Sequence, residues 1–329
     1  MTGTESVHEQ FIEREGFGRY RIAVLIPCYN EETAIGAVIT GFRSALPDAV
    51  IYAYDNNSTD RTLEKARAAG ALVRREGHQG KGHVVRRMFS DVEADLYVLV
   101  DGDATYDAPS ARRMIELLLA ERLDMVVAVR VDQDAAAYRA GHRAGNRLLT
   151  GFVAHVFGHA FTDTLSGYRV FSRRFVKSFP VLSRGFEIET ELTVHALELE
   201  LPVGEINTPY YARPRGSASK LNTWRDGFRI LRTIVRLYRS ERPLPFFTAI
   251  GAALALVSIG LAIPIVLTYL REGVVPRLPT AVLSTGLMLL AFLSVSSGLV
   301  LDTVTRGRRE LKRLAYLDQR APGDDRRQG

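Results

Sequence analysis

Residues 96–103 read LYVLVDGD: Leu96, Tyr97, Val98, Leu99 and Val100 are apolar, and Asp101, Gly102 and Asp103 follow directly. A short apolar run closed by polar residues fits a strand buried on both faces, with its chemistry where the chain turns away. Three further runs have this form. Residues 21–27 (RIAVLIP) lead into Asn30, Glu31 and Glu32, and residues 49–55 (AVIYAYD) into Asn56, Asn57, Ser58, Thr59 and Asp60. Residues 124–130 (DMVVAVR) form the fourth. Amphipathic stretches at 32–46, 61–69, 82–92 and 108–122 lie between the runs. Strands alternating with helices predict an α/β domain whose mostly parallel sheet is covered on both faces. Such sheets bind ligands at the carboxyl ends of their strands, where the clusters around Asn30, Asp55 and Asp101 all fall.

The rest of the chain is different. No residue from 246 to 270 or from 278 to 301 is charged. Each run, at about 24 residues and 1.5 Å per residue, can cross a hydrocarbon core of about 30 Å. A buried core helix of that length normally carries a polar stripe, and neither run has one. Arg225, Arg229, Arg232, Arg236, Arg239 and Arg242 precede the first run; Arg306, Arg308, Arg309, Lys312 and Arg313 follow the second. The loop between them has only Arg271 and Arg277. This asymmetry predicts a multi-pass inner-membrane protein whose termini and large domain face the cytoplasm. The expected organisation is a polar segment at 1–20, an α/β domain at 21–220, an interfacial amphipathic helix at 221–243, two transmembrane helices within 246–301 and a basic tail at 302–329. The alternative for 221–243 is a solvated basic flank.

Composition closes off several classes. Of 329 residues, 47% are hydrophobic and 24% charged, which excludes a disordered or collagen-like chain. A formal charge of +6 is too small to argue for nucleic acid. The single Cys28 excludes an internal disulfide framework and a Cys-rich zinc module. Residues 1–20 lack the apolar core of a signal peptide. No GxGxxG follows the first run, and Gly80-Lys81-Gly82 lacks the rest of a P-loop. His155 and His159 are four apart but HVFGH lacks the glutamate of a zincin. The one tryptophan, Trp224, is not in a QxxRW sequence.

Two carboxylates one residue apart suit a hard divalent cation, Mg²⁺ or Mn²⁺, whose other ligands come from water and a diphosphate. Asp101 and Asp103 are that pair, with Gly102 expected to allow a tight turn. Asp55 stands where a nucleobase or ribose could donate to it. Pro27, Cys28, Tyr29, Asn30 and Glu31 offer backbone groups, a stacking ring and a carboxylate, and Lys81 in its glycine-flanked turn offers a cation for phosphate. Taken singly, each of these is also what a turn or helix cap looks like.

Together, IPCYNEE, DNNSTD, GKG, VDGDATYD and DTLSGYRVFSRR, in this order over residues 20–240, resemble the family 2 glycosyltransferases of GT-A fold. The branch they resemble most is that of dolichyl-phosphate mannose synthases and bacterial polyprenyl-phosphate glycosyltransferases. The resemblance implies a GT-A domain followed by a two-helix membrane hairpin. It implies nucleotide-sugar contacts from Pro27, Tyr29, Asn30, Glu31, Asp55, Asn57, Lys81, Asp101 and Gly102, and a metal and diphosphate site at Asp101 and Asp103. The chain departs from the family at Asn56-Asn57, where an acidic residue and glycine are usual. It departs again at Thr105, where some relatives carry a metal-ligating glutamine.

A lipid phosphate is already a nucleophile; it needs positioning and charge compensation, which arginine forks supply. The expected acceptor-phosphate residues are Arg169, Arg173, Arg213, Arg215 and Lys220, with Glu189 facing the site from a helix. Asp163, Arg169 and Asp103 are the expected catalytic residues, Asp163 either as a base or as the partner that orients an arginine. The implied reaction moves one sugar from a nucleotide diphosphate sugar, a UDP-sugar by preference, to a polyprenyl phosphate with inversion. The partners are those two substrates and membrane lipid, without nucleic acid; as relatives can be tetramers, a homo-oligomer is open. The alternatives are a polysaccharide synthase and a silent sugar-nucleotide- or lipid-binding scaffold.

Overall fold

The computed structural model describes residues 17–132, 151, 161–181, 187–213, 232, 235–236 and 238–323. The chain divides into two compact units, Met1–Gly227 with Lys312–Gly329, and Phe228–Leu311.

In the first unit the four apolar runs become β1 (Ile22–Cys28), β2 (Val50–Asp55), β4 (Leu96–Leu99) and β5 (Met125–Asp132). The amphipathic stretches become α1 (Ile35–Ala45), α2 (Thr62–Ala68), α3 (Lys81–Asp91) and α4 (Ser110–Ala120). Three strands were not legible: β3 (Leu72–Arg75), β6 (Arg169–Ser172) and β7 (Val203–Tyr210). Strand β3 is a half-exposed edge, β7 is an edge strand holding a glycine and a proline, and β6 is four residues long and opens on an arginine. Two more helices, α5 (Arg173–Ser178) and α6 (Ile188–Glu198), follow β6.

The sheet order is β3-β2-β1-β4-β6-β5-β7, and only β6 runs against the other six strands. β1 is buried at every position because both its faces are covered. Val24 and Ile26 pack with Ile35, Ile39 and Phe42 of α1 and Met114 and Leu118 of α4. Ala23 and Leu25 face the other way, onto Val85 and Met88 of α3 and Ile188 and Leu192 of α6. This period-two division between two cores is the reason for the continuous apolar run.

The antiparallel β6 decides the fate of two predicted residues. In its register Leu99 pairs with Arg169 and Leu96 with Ser172. Arg169 therefore lies at the carboxyl edge of β4, whereas Arg173 lies at the opposite edge, its backbone N–H donating to Asp95 O at 3.1 Å. At about 3.3 Å per residue the two ends of β6 are some 10 Å apart.

The second unit holds α7 (Pro243–Glu272) and most of α8 (Leu278–Leu317). Gly273, at φ +71°, ends α7 in the left-handed conformation that glycine adopts without strain. Both helices are long and apolar enough to cross a membrane. Their most apolar 18-residue stretches have mean hydropathies of 2.5 and 1.9, with only 17% and 11% of them buried, which sets aside the core-helix alternative. The helices meet through small residues. A Cβ on Gly251 would fall 2.9 Å from Ala291 O, one on Gly298 would fall 3.0 Å from Phe247 Cβ, and Ser258 Oγ donates to Ser284 O at 2.7 Å. Close approach through small residues and interhelical hydroxyl bonds is how helices pack where the solvent is as apolar as they are.

The helix α8 runs on to Leu317, so much of the expected basic tail is helical. Its last turns belong to the first unit: Lys312 Nζ reaches the buried Glu198 at 2.6 Å, and Tyr316 Oη donates to the buried Asp124 at 2.9 Å. The segment 214–231, with Arg215, Lys220 and Trp224, and the histidines at 155 and 159 lie outside the described residues, as does most of the expected interfacial helix.

Candidate active site

Six strand ends and the start of β6 meet along one edge of the sheet, and two laced loops form its first wall. Asn30 N–H donates to Ser58 Oγ (2.9 Å), Thr59 N–H to Asn30 Oδ1 (2.8 Å) and Glu31 N–H to Thr62 Oγ1 (2.8 Å). Asn30 and Asn57 adopt φ of +52° and +65°, which asparagine tolerates better than most residues. Asp55 is wholly buried at the end of β2. It accepts from Ser58 N–H at 3.2 Å and faces Arg75 Nε at 3.4 Å. Pro27 is buried within β1, while Tyr29 is half-buried just beyond it.

Asn56 explains why this chain can replace an acidic residue there. Its Nδ2 donates to His78 O (2.8 Å) and Glu76 O (3.2 Å), and its Oδ1 accepts from Gly80 N–H (2.7 Å). These bonds pin the turn that begins α3 and so aim Lys81, the first residue of that helix, into the site. Asn57 Nδ2 donates to Gly77 O at 2.8 Å, so it too ties the loops together.

Asp101 and Asp103 follow β4. Asp101, with its side chain 30% exposed, accepts from Lys81 Nζ, and the same ammonium donates to Glu189 of α6. Asp103 is buried; its Oδ1 accepts from Thr105 Oγ1 at 2.6 Å and its Oδ2 lies 2.7 Å from Arg213 Nη2. Burial and the charge of Asp101 raise the Asp103 carboxyl above the usual carboxylate range, while Arg213 and Thr105 oppose the rise. Burial alone would lower the Lys81 ammonium, but the two carboxylates outweigh it and hold that ammonium above its usual value. Gly102 is needed for close approach and not for a positive φ, which falls instead on Ala104 at +57°. A Cβ on Gly102 would sit 3.3 Å from Ile35 Cδ1 and 3.4 Å from Cys28 Cβ.

Segment 161–169 forms the second wall. Asp163 accepts a two-point fork from Arg130, Nε to Oδ2 at 2.6 Å and Nη2 to Oδ1 at 2.8 Å. With both oxygens so held, Asp163 fixes the direction of the Arg130 guanidinium. Arg169 is fully buried; its guanidinium donates to Ser166 O, Thr164 O and Thr193 Oγ1 at 2.8–3.0 Å. Burial lowers its pKa to about 10, so it stays charged at neutral pH. Expected at the acceptor phosphate, Arg169 here turns its guanidinium into the loop and braces it. Arg173, expected there too, lies at the far edge and pairs with Glu93. Glu189 is at the site but turned to Lys81, as its charge would dictate, and is not an anion-binding group.

Three contributors escaped the sequence reading. Arg130 lies near the carboxyl end of β5, where it closes the apolar run of the sequence. Gly167 packs on Asp101: a Cβ there would lie 2.3 Å from Asp101 Oδ2. Tyr106 is partly buried, and its Oη accepts from Gly167 N–H at 2.9 Å. Neither of these two follows from strand or helix periodicity, because both depend on which loops meet.

Residues 23–179 match the sequence profile of glycosyl transferase family 2. Glycosyltransferase AglJ of Haloferax volcanii is 34% identical over 303 residues, covering 90% of this chain and 98% of that protein. A dolichyl-phosphate hexose transferase of the same organism is 27% identical over 221 residues, 67% of this chain and 95% of that one. Among solved structures, glucosyl-3-phosphoglycerate synthase from Mycobacterium tuberculosis superposes with a TM-score of 0.53 at 20% identity. That match covers 72% of this chain and 84% of the synthase, whose crystal holds Mn²⁺, UDP-glucose and phosphoglyceric acid. The likeness establishes the GT-A fold.

Proposed function

The chain belongs to glycosyl transferase family 2, and on that premise we propose that it moves one sugar from a nucleotide diphosphate sugar to a polyprenyl phosphate at a membrane surface. The observation that carries the reading is one sheet edge bearing Asp55, Lys81, Asp101, Asp103 and Arg213, in a chain that also has two helices able to span a bilayer. The dolichyl-phosphate hexose transferase relative supports the lipid acceptor, and the UDP-glucose complex of the structural relative supports a UDP-sugar donor.

The donor set fits Mg²⁺ or Mn²⁺. Asp101 and Asp103 are hard oxygen ligands, Asp101 is partly open to solvent, and each already binds a cationic side chain. A metal held by these two would act as a Lewis acid on the departing diphosphate. The chain's own groups do the remainder. Asp55 accepts from the base or ribose, and Tyr29 stacks beside it. Lys81 and Arg213 place positive charge where phosphates gather. Arg130, fixed by Asp163, compensates the acceptor phosphate, which attacks the anomeric carbon without a strong base. One C–O bond forms as the bond to the diphosphate breaks, with inversion, and the electron pair leaves on the nucleoside diphosphate. Basic flanks on both helices support a catalytic unit and termini on the cytoplasmic side.

The test is a transfer assay with full-length protein in nanodiscs, undecaprenyl phosphate, and UDP-Glc, UDP-GlcNAc, UDP-Gal and GDP-Man supplied separately. A lipid-linked product from one donor, lost with EDTA and in Asp103→Ala, is expected. Nucleotide binding without product from any sugar nucleotide in a broad screen would refute the reading.

A further inference from the structure

Both carboxylates of the candidate metal pair carry a cation from the chain, but the two cations are not equivalent. Arg213 reaches Asp103 with a side chain one-third exposed. Lys81 is nearly buried, its side chain 9% exposed, and lies between two carboxylates: Asp101, and Glu189 at 2.5 Å. Glu189 comes from α6, 108 residues along the chain, and is itself buried. Its backbone oxygen accepts from Thr193 Oγ1 at 3.1 Å, and that hydroxyl accepts from Arg169 at 2.9 Å. A lysine serving only as a phosphate contact needs no buried carboxylate behind it. Burying a carboxylate is costly before it is paired, by the general behaviour of buried ions, so its position calls for a reason.

We infer that Glu189 is the second seat of Lys81: the ammonium neutralises Asp101 in the empty site and is held by Glu189 alone when a divalent cation takes Asp101. The inference rests on the metal-site reading above and adds a positioning residue to it. The exchange needs no new rotamer, since Lys81 gives up one of two bonds it already makes. Charge supplies the rationale. Asp101, Asp103 and Glu189 stand against Lys81, Arg213 and Arg169, so the cluster is neutral. A divalent cation entering alone brings positive charge that nothing balances, and a nucleoside diphosphate entering with it restores the balance. Lys81 thereby couples metal binding to donor binding, and the coupling is reciprocal. Glu189 keeps the displaced ammonium beside the diphosphate.

The experiment measures Mn²⁺ affinity by electron paramagnetic resonance, on nucleotide-free full-length protein in nanodiscs. The proteins are wild type, Glu189→Gln, Lys81→Met, the double variant, and Asp101→Ala to define the site. Glu189→Gln alone is expected to weaken Mn²⁺ at least threefold, because Lys81 then depends on Asp101. The double variant is expected to bind Mn²⁺ at least tenfold tighter than Glu189→Gln, from removing a unit positive charge that contacts Asp101 in a partly buried site. In the Lys81→Met background, Glu189→Gln should change affinity less than twofold. Lys81→Met leaves the buried Glu189 facing Asp101 with no cation between them; should it fail to fold, Glu189→Gln against the double variant carries the test. Equal affinities in those two, or the same loss from Glu189→Gln with and without Lys81, would overturn the inference. Wild type that binds no Mn²⁺, with or without UDP, would overturn the metal site itself and the inference with it.

Discussion

Replacing Gly167 by alanine adds one methyl group against Asp101. The new Cβ would lie 2.3 Å from Oδ2, 2.9 Å from Cγ and 3.2 Å from Oδ1. Ordinary contact is about 3.5 Å, so the carboxylate must retreat by roughly 1 Å. It can do so cheaply, because the Asp101 side chain is 30% exposed and Gly167 does not hold the left-handed backbone conformation. An off-rotamer side chain costs about 1 kcal/mol, which in a unit of this size shifts Tm by about 2–4 °C. Catalysis should suffer far more. A displacement of about 1 Å in a positioned group can lower the rate by about a hundredfold. We therefore expect Gly167→Ala to reduce kcat about a hundredfold and weaken Mn²⁺, with Tm nearly unchanged. The measurement pairs the lipid-transfer assay with thermal unfolding. Activity within threefold of wild type at normal Tm would refute the argument. A fall of more than 10 °C would show instead that Gly167 serves packing.

Other outcomes follow from positions away from this contact. Arg173→Ala should keep transfer activity within about twofold, as the residue lies at the far sheet edge and its pair with Glu93 is a surface one. A tenfold loss would restore it to the acceptor site. Asp124 is fully buried and accepts from Ser172, from Tyr316 and from both arms of the Arg174 fork. Asp124→Asn should destabilise by about 3–5 kcal/mol in denaturant unfolding while the folded fraction keeps its specific activity. Burial holds His195 neutral, its pKa lowered from 6.5 to about 3. Its contribution to stability is complete above pH 6.5 and is lost as pH falls from there toward 3, about 2 kcal/mol by pH 5. Unfolding of wild type and His195→Gln across pH 7 to 4.5 checks this, and parallel curves would contradict it.

Local information was enough for the interior strands, the helices between them and the apolar hairpin. In β1, β2, β4 and β5 the requirement is only that a strand covered on both faces be apolar, and each side chain meets it alone. The carboxyl-edge position of Asp55, Asp101 and Asp103 follows from that reading too, because parallel strands all deliver their ends to one side. The edge strands β3 and β7 carry a weaker pattern, since one flank faces solvent and the apolar requirement lapses.

Tertiary structure decided which charges meet. No spacing along the chain distinguishes Arg169 from Arg173; the antiparallel direction of β6 sends one to the site edge and the other away from it. Burial made Arg169 a brace of the loop, while Arg130, at the end of an apolar run in the sequence, took the fork with Asp163. Glu189 looked like one of three similar glutamates on a helix until α6 packed it against Lys81, which α3 carries from 108 residues earlier. An ion pair depends on distance in space and on loss of water, and neither quantity is written in the order of residues.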